Sequence, residues 1–179
     1  MIKLNSKQLR KTKPLNGEDK GIKRNQIYFV LDNVLDTYNI GSIFRLGDAL
    51  AVEKIYICGD SDYPPSSRIH KAAVGTEEWV PWTKEDNTID VIKFLKKENV
   101  QIIAVEQDKR ALSYTSLINK IKLPVALIVG HETTGITKDV LDLADHIVEL
   151  PMFGVNKSLN VWGSLAVVAY KIIEEIKKD

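Results

Sequence analysis

Polar residues that could bind a ligand lie in three short segments of the chain, residues 39–45, 130–135 and 150–160. In the first, Asn39 can present its amide to a ligand, and the permanently charged guanidinium of Arg45 can clamp a phosphate. In the last, a glycine permits a turn between a short apolar run and a helix, and the loop can hold a polar ligand with main-chain atoms. Each segment by itself also fits an ordinary connection between a strand and a helix.

Apolar runs and helical periodicities alternate along the chain and predict the elements that position these segments. The predicted strands cover 26–31, 54–58, 101–106, 125–129 and 147–150, with a short extended piece at 79–82. The predicted helices cover 39–50, 66–73, 86–98, 137–144 and the C-terminal residues from 159 onward. Such alternation predicts a single α/β domain, residues 25–179, with a parallel sheet and helices on both of its faces.

Polar residues at the predicted helix starts are candidate caps, because a short polar side chain can accept from the unpaired N–H groups of a first turn. Asn39 is the candidate for the first long helix and Asp86 for helix 86–98. Ser158 and Asn160 stand where the chain enters its C-terminal helix. The caps of these helices are therefore predicted to include residues of the ligand-binding segments.

Composition favours an ordinary globular protein of one domain. The chain has 179 residues, of which 44% are hydrophobic, and no apolar run approaches a membrane span. The N-terminus lacks the hydrophobic stretch of a signal peptide, which predicts a cytoplasmic location. Cys58 is the single cysteine and lies in an apolar run, so it is predicted to be a core residue, and disulfides and a cysteine-based zinc site are excluded.

Charge is unevenly distributed although the net charge is only +1. Residues 1–24 hold eight basic and two acidic residues, a net +6, so the rest of the chain carries −5. The arm also contains proline and glycine and little apolar periodicity, which predicts a segment that is flexible or loosely docked. A basic arm on a mildly acidic body indicates either a nucleic-acid contact or only a solubilising terminus.

The three polar segments together resemble the signature motifs of the SpoU/TrmH family of RNA 2′-O-ribose methyltransferases. Residues 39–45 match its first motif, N-x-G-x3-R, and residues 127–136 match its second, a strand closing in G-x-E-x-x-G. Residues 150–161 match the third, L-P-M-x-G-x3-S-L-N-V. The motifs stand in the family's order. Residues 131–135 also begin like a zinc-protease motif but lack its second histidine, so no metal site is predicted.

The resemblance implies a deep trefoil knot at the C-terminus, a homodimer and S-adenosylmethionine as the cofactor. It implies a polar reacting cluster at five positions: Asn39, Arg45, Glu132, Ser158 and Asn160. It implies cofactor contacts, largely through main-chain atoms, at six positions: Val105, Glu106, Gly130, Leu150, Met152 and Leu159. For RNA, we expect contacts from basic residues of the arm and of helix 66–73: Arg10, Lys11, Lys23, Arg24, Arg68 and Lys71.

Several roles stay open at this stage. The family assigns Arg45 as the base, but a permanently charged guanidinium is better suited to bind a phosphate and stabilise a developing alkoxide. Glu132 either accepts the proton or fixes Arg45. Trp162 stands where the family usually has a small residue, and it either repacks the helix or narrows the pocket. The alternatives to a ribose methyltransferase of tRNA or rRNA are an RNA base methyltransferase and a non-catalytic RNA-binding protein of the same fold.

Overall fold

The computed structural model describes residues 3–14, 21–117 and 120–177. The strands of this part are β1 Asn25–Asp32, β2 Val52–Cys58, β3 Trp82–Glu85, β4 Gln101–Val105, β5 Leu112–Ser113, β6 Val125–Gly130 and β7 His146–Glu149. The α-helices are α1 Ser6–Leu9, α2 Thr37–Ala49, α3 Ser67–Ala73, α4 Thr88–Lys97, α5 Lys138–Leu141 and α6 Val161–Ile176. Short 3₁₀ turns occupy Thr76–Glu78 and Tyr114–Leu117.

The strands form one seven-stranded sheet in the order β3-β2-β1-β6-β4-β7-β5, and neighbouring strands run parallel. The central strand β6 is buried along its whole length, as expected when helices cover both faces of a parallel sheet. The carboxyl ends of β1, β4, β6 and β7 therefore meet at one edge. The predicted α/β class is confirmed.

Two hydrophobic cores lie on opposite faces of the sheet. The first is built around α2 and α6, with Phe44 and Leu165 among its fully buried side chains. The second is built around α4 and α5 and includes Ile92 and Val140. Cys58 belongs to this second core, as predicted, and burial raises the pKa of its thiol to about 12.

Three predicted helix boundaries were wrong. Helix α2 begins before Asn39, and its cap is Asp36, whose carboxylate accepts from the Tyr38 backbone N–H at 2.7 Å. Helix α4 is capped by Asn87 rather than Asp86. Helix α5 spans a single turn, Lys138–Leu141, instead of 137–144. In each case several polar residues stand near the boundary, and tertiary contacts select among them.

The described part of the arm packs on the body. Helix α1 carries a reciprocal capping box between Asn5 and Gln8. The Trp79 indole N–H donates to the Thr12 carbonyl at 3.2 Å, and a Cβ added to Gly75 would lie 2.3 Å from the Leu9 carbonyl oxygen. Residues 15–20, which include Lys20, lie outside the described residues. The arm boundary at residue 24 stays a prediction.

Arg24 is held by the fold. Its guanidinium donates to the backbone carbonyls of Val52, at 3.2 Å, and Trp79, at 2.9 Å. These bonds tie the start of β1 to β2 and to the segment before β3. Because the guanidinium is partly buried and occupied in this way, we leave Arg24 out of the RNA surface proposed below.

Candidate active site

A cleft of about 480 Å³ opens at the carboxyl edge of the sheet. Its wall is formed by the ends of β4, β6 and β7, the turn after β6, the loop after β7 and the first turn of α6. All six predicted cofactor contacts line it: Val105, Glu106, Gly130, Leu150, Met152 and Leu159. A cleft of this size, with main-chain groups in its wall, can take a nucleoside-sized ligand.

The turn after β6 folds back closely on its own strand. A Cβ added to Gly130 would lie 2.4 Å from the carbonyl carbon of Gly135, and Gly135 itself has a φ of +70°. Both positions therefore need glycine. Glu106, at the end of β4, accepts the backbone N–H of Ile136 at 2.9 Å and that of Gln107 at 2.9 Å. Glu106 thus fixes one wall of the cleft against another.

Three residues of the predicted polar cluster form a continuous hydrogen-bonded chain. The Asn39 amide N–H donates to Glu132 Oε1 at 2.9 Å. The Asn39 amide oxygen accepts from Asn160 Nδ2 at 3.0 Å, and Asn160 Oδ1 accepts the backbone N–H of Trp162 at 3.0 Å. Asn160 caps α6 in this way, as predicted. We call Glu132, Asn39 and Asn160 the polar relay, since it links one residue from each motif.

Glu132 also closes the start of α2. Its carboxylate accepts the backbone N–H groups of Leu35, at 3.2 Å, and Asp36, at 3.0 Å, besides the Asn39 amide. Partial burial raises the pKa of Glu132, but these hydrogen bonds outweigh that effect and hold the pKa below its ordinary value. The carboxylate is therefore kept ionised, with donors directed at both of its oxygens.

Arg45 and Ser158 lie outside the polar relay. Arg45 is exposed on α2, and in the described residues it has neither a hydrogen bond nor an ion pair. It follows Asn39 by six residues, so the two side chains point about 120° apart around the helix axis, at about 100° per residue, and lie on different sides of the helix. Ser158 lines the cleft, and its backbone N–H donates to Asn156 Oδ1 at 3.3 Å. It does not cap α6, whose cap is Asn160. The Trp162 side chain is 41% exposed and is not among the residues that line the cleft.

Two polar residues at the carboxyl edge of the sheet were missed by sequence reasoning, and one of them lines the cleft. Gln107 lines the cleft, and its Nε2 donates to the Lys157 carbonyl at 2.6 Å, joining the end of β4 to the loop after β7. Asp32, 2% exposed, accepts from Thr88 Oγ1 at 2.6 Å and from the Thr137 backbone N–H at 3.2 Å. A polar residue directly after an apolar strand was the available signal for both.

Neither a metal-ion cluster nor a membrane-spanning helix is found among the described residues. No group of three or more His, Cys, Asp or Glu side chains there is placed to hold a metal ion. No helix in the same part of the chain is long and apolar enough to cross a membrane.

A parallel α/β sheet with a cleft at the carboxyl ends of its strands has the architecture in which α/β proteins commonly bind small ligands. A model of the SpoU rRNA methylase family matches residues 26–170. The chain is 29% identical over 152 residues to a 23S rRNA guanosine-2′-O-methyltransferase of Blochmanniella floridana, covering 84% of this chain and 58% of that protein. It is 31% identical over 145 residues to a tRNA (guanosine(18)-2′-O)-methyltransferase of Escherichia coli K12, covering 79% and 60%.

Solved structures show the same fold. A TrmH/SpoU tRNA-modifying enzyme of A. aeolicus superposes with a TM-score of 0.79 at 24% identity, covering 97% of this chain and 83% of that one. An AdoMet-bound rRNA methyltransferase of Sinorhizobium meliloti superposes with a TM-score of 0.78 at 25% identity, covering 93% and 59%. The chain belongs to the SpoU rRNA methylase family. It spans about three-fifths of the length of the two sequence relatives named above.

Proposed function

We propose that this protein transfers a methyl group from S-adenosylmethionine to the ribose 2′-hydroxyl of a tRNA or rRNA nucleotide. The observation that carries the proposal is the polar relay, which brings one residue of each family motif together beside the cleft. The relatives are named as guanosine-2′-O-methyltransferases of rRNA and tRNA, and this favours ribose over base as the acceptor.

The cleft fits the proposed cofactor. Its volume suits a nucleoside-sized ligand, and the closely folded turn at Gly130 and Gly135 forms part of its lining. The ends of β4, β6 and β7 would hold the cofactor through Val105, Leu150 and neighbouring backbone atoms. When bound, S-adenosylmethionine supplies an electrophilic methyl group on a positively charged sulfur.

The chain's own residues would act mainly by positioning, which can contribute several kcal/mol to a bimolecular transfer. Two roles were left open for Glu132, to accept the proton or to fix Arg45. Its hydrogen bonds support a third role instead, as an anchor for Asn39 and for the start of α2. Its lowered pKa also makes it a weaker base. Asn39 in turn orients Asn160 at the cleft. Arg45, exposed and without a partner among the described residues, is the candidate for a substrate phosphate.

We propose the trefoil knot and the homodimer as parts of the same function. Helix α6 returns to pack on β6, β4 and α2 after the chain has left β7, a path that supports threading of the C-terminal segment. For the dimer, Ala169 and Ile173 of α6 offer no surface, since both are buried within one chain. Exposed apolar side chains at the start of α2 and along α6 support it instead: Leu35, Tyr38, Trp162, Val167 and Tyr170.

The RNA surface is proposed to include the exposed residues Arg10, Lys11, Lys23, Arg68 and Lys71. Lysine and arginine that contact phosphates release counterions, so binding should weaken steeply with salt. Replacing Arg10 and Lys11 together by alanine should reduce the log–log salt slope by roughly 1.4 to 1.8, at about 0.7 to 0.9 per contact. An unchanged slope would assign the arm to solubility only. A cytoplasmic location stays a prediction.

The decisive experiment is transfer of a radiolabelled methyl group from S-adenosylmethionine to unmodified tRNA and rRNA fragments. Mass spectrometry of the digested nucleosides then distinguishes 2′-O-methylribose from a methylated base. Arg45→Ala should abolish transfer and leave affinity for S-adenosylhomocysteine unchanged. Wild-type protein that binds neither S-adenosylmethionine nor S-adenosylhomocysteine in calorimetry would contradict the enzyme, and a methylated base would favour the base-methylating alternative.

A further inference from the structure

A second cleft, of about 580 Å³, lies at the β3 edge of the sheet. It is lined by Lys13 of the arm, the 64–67 segment, His70 on α3, Glu77 and Glu78, and Trp82 at the start of β3. We call it the β3-edge cleft. It shares no lining residue with the cleft at the ends of β4, β6 and β7. Three strand spacings separate β3 from β6, roughly 14 Å at about 4.8 Å each.

Glu77 is a buried carboxylate in the lining of this cleft, and one of its oxygens lacks a hydrogen-bond donor among the described residues. Its side chain is only 5% exposed, and the Nδ1 of His70 forms a short hydrogen bond to its Oε1. Its other oxygen, Oε2, is buried and has no hydrogen-bond partner among the described residues. A buried carboxylate oxygen without a donor is costly, so the site favours a molecule that brings N–H groups.

Trp82 gives the cleft an aromatic wall. Its ring packs edge-on against Phe44, with centroids 6.3 Å apart and an interplanar angle of 87°, and Tyr63 lies beside it at 6.3 Å. Trp82 is half-buried in the core, so its position is fixed. A planar ring can stack on such a platform, which is how proteins commonly hold an unpaired base.

The surroundings favour a nucleic acid over a cationic protein side chain. Arg68 and Lys71 are exposed on α3, the same helix that carries His70, and Lys13 keeps its ammonium group largely in solvent while pairing with Glu78 at 2.9 Å. These cations attract phosphates and would repel an arginine-bearing partner. The cleft thus combines an acceptor, an aromatic platform and cations for the backbone.

We propose that the β3-edge cleft binds a guanine base of the substrate RNA, at a nucleotide other than the one that is methylated. Guanine presents two adjacent donors, N1–H and the 2-amino group, to a carboxylate. Adenine and cytosine each place a ring acceptor beside their amino group, and uracil places carbonyls on both sides of its N–H. Glu77 has the capacity for both guanine donors, because Oε2 has no donor among the described residues and Oε1 keeps a second lone pair besides its bond to His70. This proposal rests on the proposed function only in taking RNA as the substrate.

The test compares guanosine and adenosine 5′-monophosphate by calorimetry, using the full chain and Glu77→Gln. Glutamine keeps the volume of glutamate but replaces one acceptor by a donor. We expect the wild type to bind guanosine monophosphate at least about tenfold more tightly than adenosine monophosphate, and Glu77→Gln to lose that difference. Glu98→Gln, an exposed carboxylate that lines neither cleft, is the matched control and should behave as wild type.

A second variant keeps the test independent of Glu77's effect on folding. Ser67→Trp would fill the β3-edge cleft from an exposed position and should abolish guanosine monophosphate binding. Equal affinities for the two nucleotides, or no effect of either variant, would overturn the proposal. Tighter, Glu77-dependent binding of arginine amide would overturn it in favour of a protein partner. Methyl transfer measured on the same samples separates failure of this inference from failure of the proposed function. A wild type that transfers methyl groups but shows no preference for guanosine monophosphate refutes the guanine site alone.

Discussion

Removing the Asn39 side chain should disable the protein while leaving it folded. Asn39→Ala deletes a donor to Glu132 at 2.9 Å and an acceptor for Asn160 at 3.0 Å, at a position only 4% exposed. Two lost hydrogen bonds, one of them to a partly exposed carboxylate, should lower the free energy of unfolding by about 1–3 kcal/mol. A domain of this size retains its fold after such a loss.

Asn39→Ala should also lower the rate of methyl transfer, by more than its modest loss of stability would cause. Without Asn39, Glu132 and Asn160 are no longer linked to each other, and misplacement by about 1 Å at a reacting site can lower the rate about 100-fold, or roughly 2.7 kcal/mol. Single-turnover transfer to RNA, at saturating S-adenosylmethionine, measures this directly. Affinity for the cofactor should change much less, since Asn39 is not among the residues that line the cleft.

Asn87→Ala is the matched control for this experiment. Asn87 caps α4 through one hydrogen bond, to the Ile89 backbone N–H at 2.8 Å, and it lines neither cleft. Its loss should cost about 1 kcal/mol of stability and leave transfer unchanged. The relay would be refuted if folded Asn39→Ala transferred methyl groups within about threefold of wild type, roughly 0.65 kcal/mol of barrier.

Three further predictions follow from single residues. Gly130→Ala should displace the turn after β6 and weaken S-adenosylhomocysteine binding at least about tenfold. Gly163→Ala is the control, since its added Cβ would make only an ordinary contact at 3.8 Å, and it should bind as wild type does. Equal affinities of the two variants would contradict the close approach at Gly130. Because the folded pKa of Glu132 is lowered, its stabilisation is complete above the ordinary pKa and is lost as pH falls through the lowered value. Thermal melts of wild type and Glu132→Gln should therefore differ at pH 7 and converge in acid, and a constant difference would disprove the linkage. The Cys58 thiol, with its pKa of about 12, should react with Ellman's reagent at pH 8 only after unfolding.

Local patterns in the sequence determined the class of the fold and the three segments that form the site. The apolar runs of β1 and β6 predict buried strands from local sequence alone, because a strand buried on both faces of a sheet requires continuous apolar residues. The spacing within residues 39–45, 130–135 and 150–161 identified the family without knowledge of any contact. The resemblance to that family, rather than a local pattern, implied that residues of these segments meet.

Only the tertiary structure decided which of these residues bond to one another. Asn39 meets Glu132 and Asn160 across separations of 93 and 121 residues, and no local periodicity carries that information. The same holds for Arg24, whose carbonyl partners lie 28 and 55 residues away. A helix cap or a buried face depends on which neighbours arrive in space, and so Asp36 rather than Asn39 caps α2. Propensity sets what a residue can do, and long-range packing selects which of those options it takes.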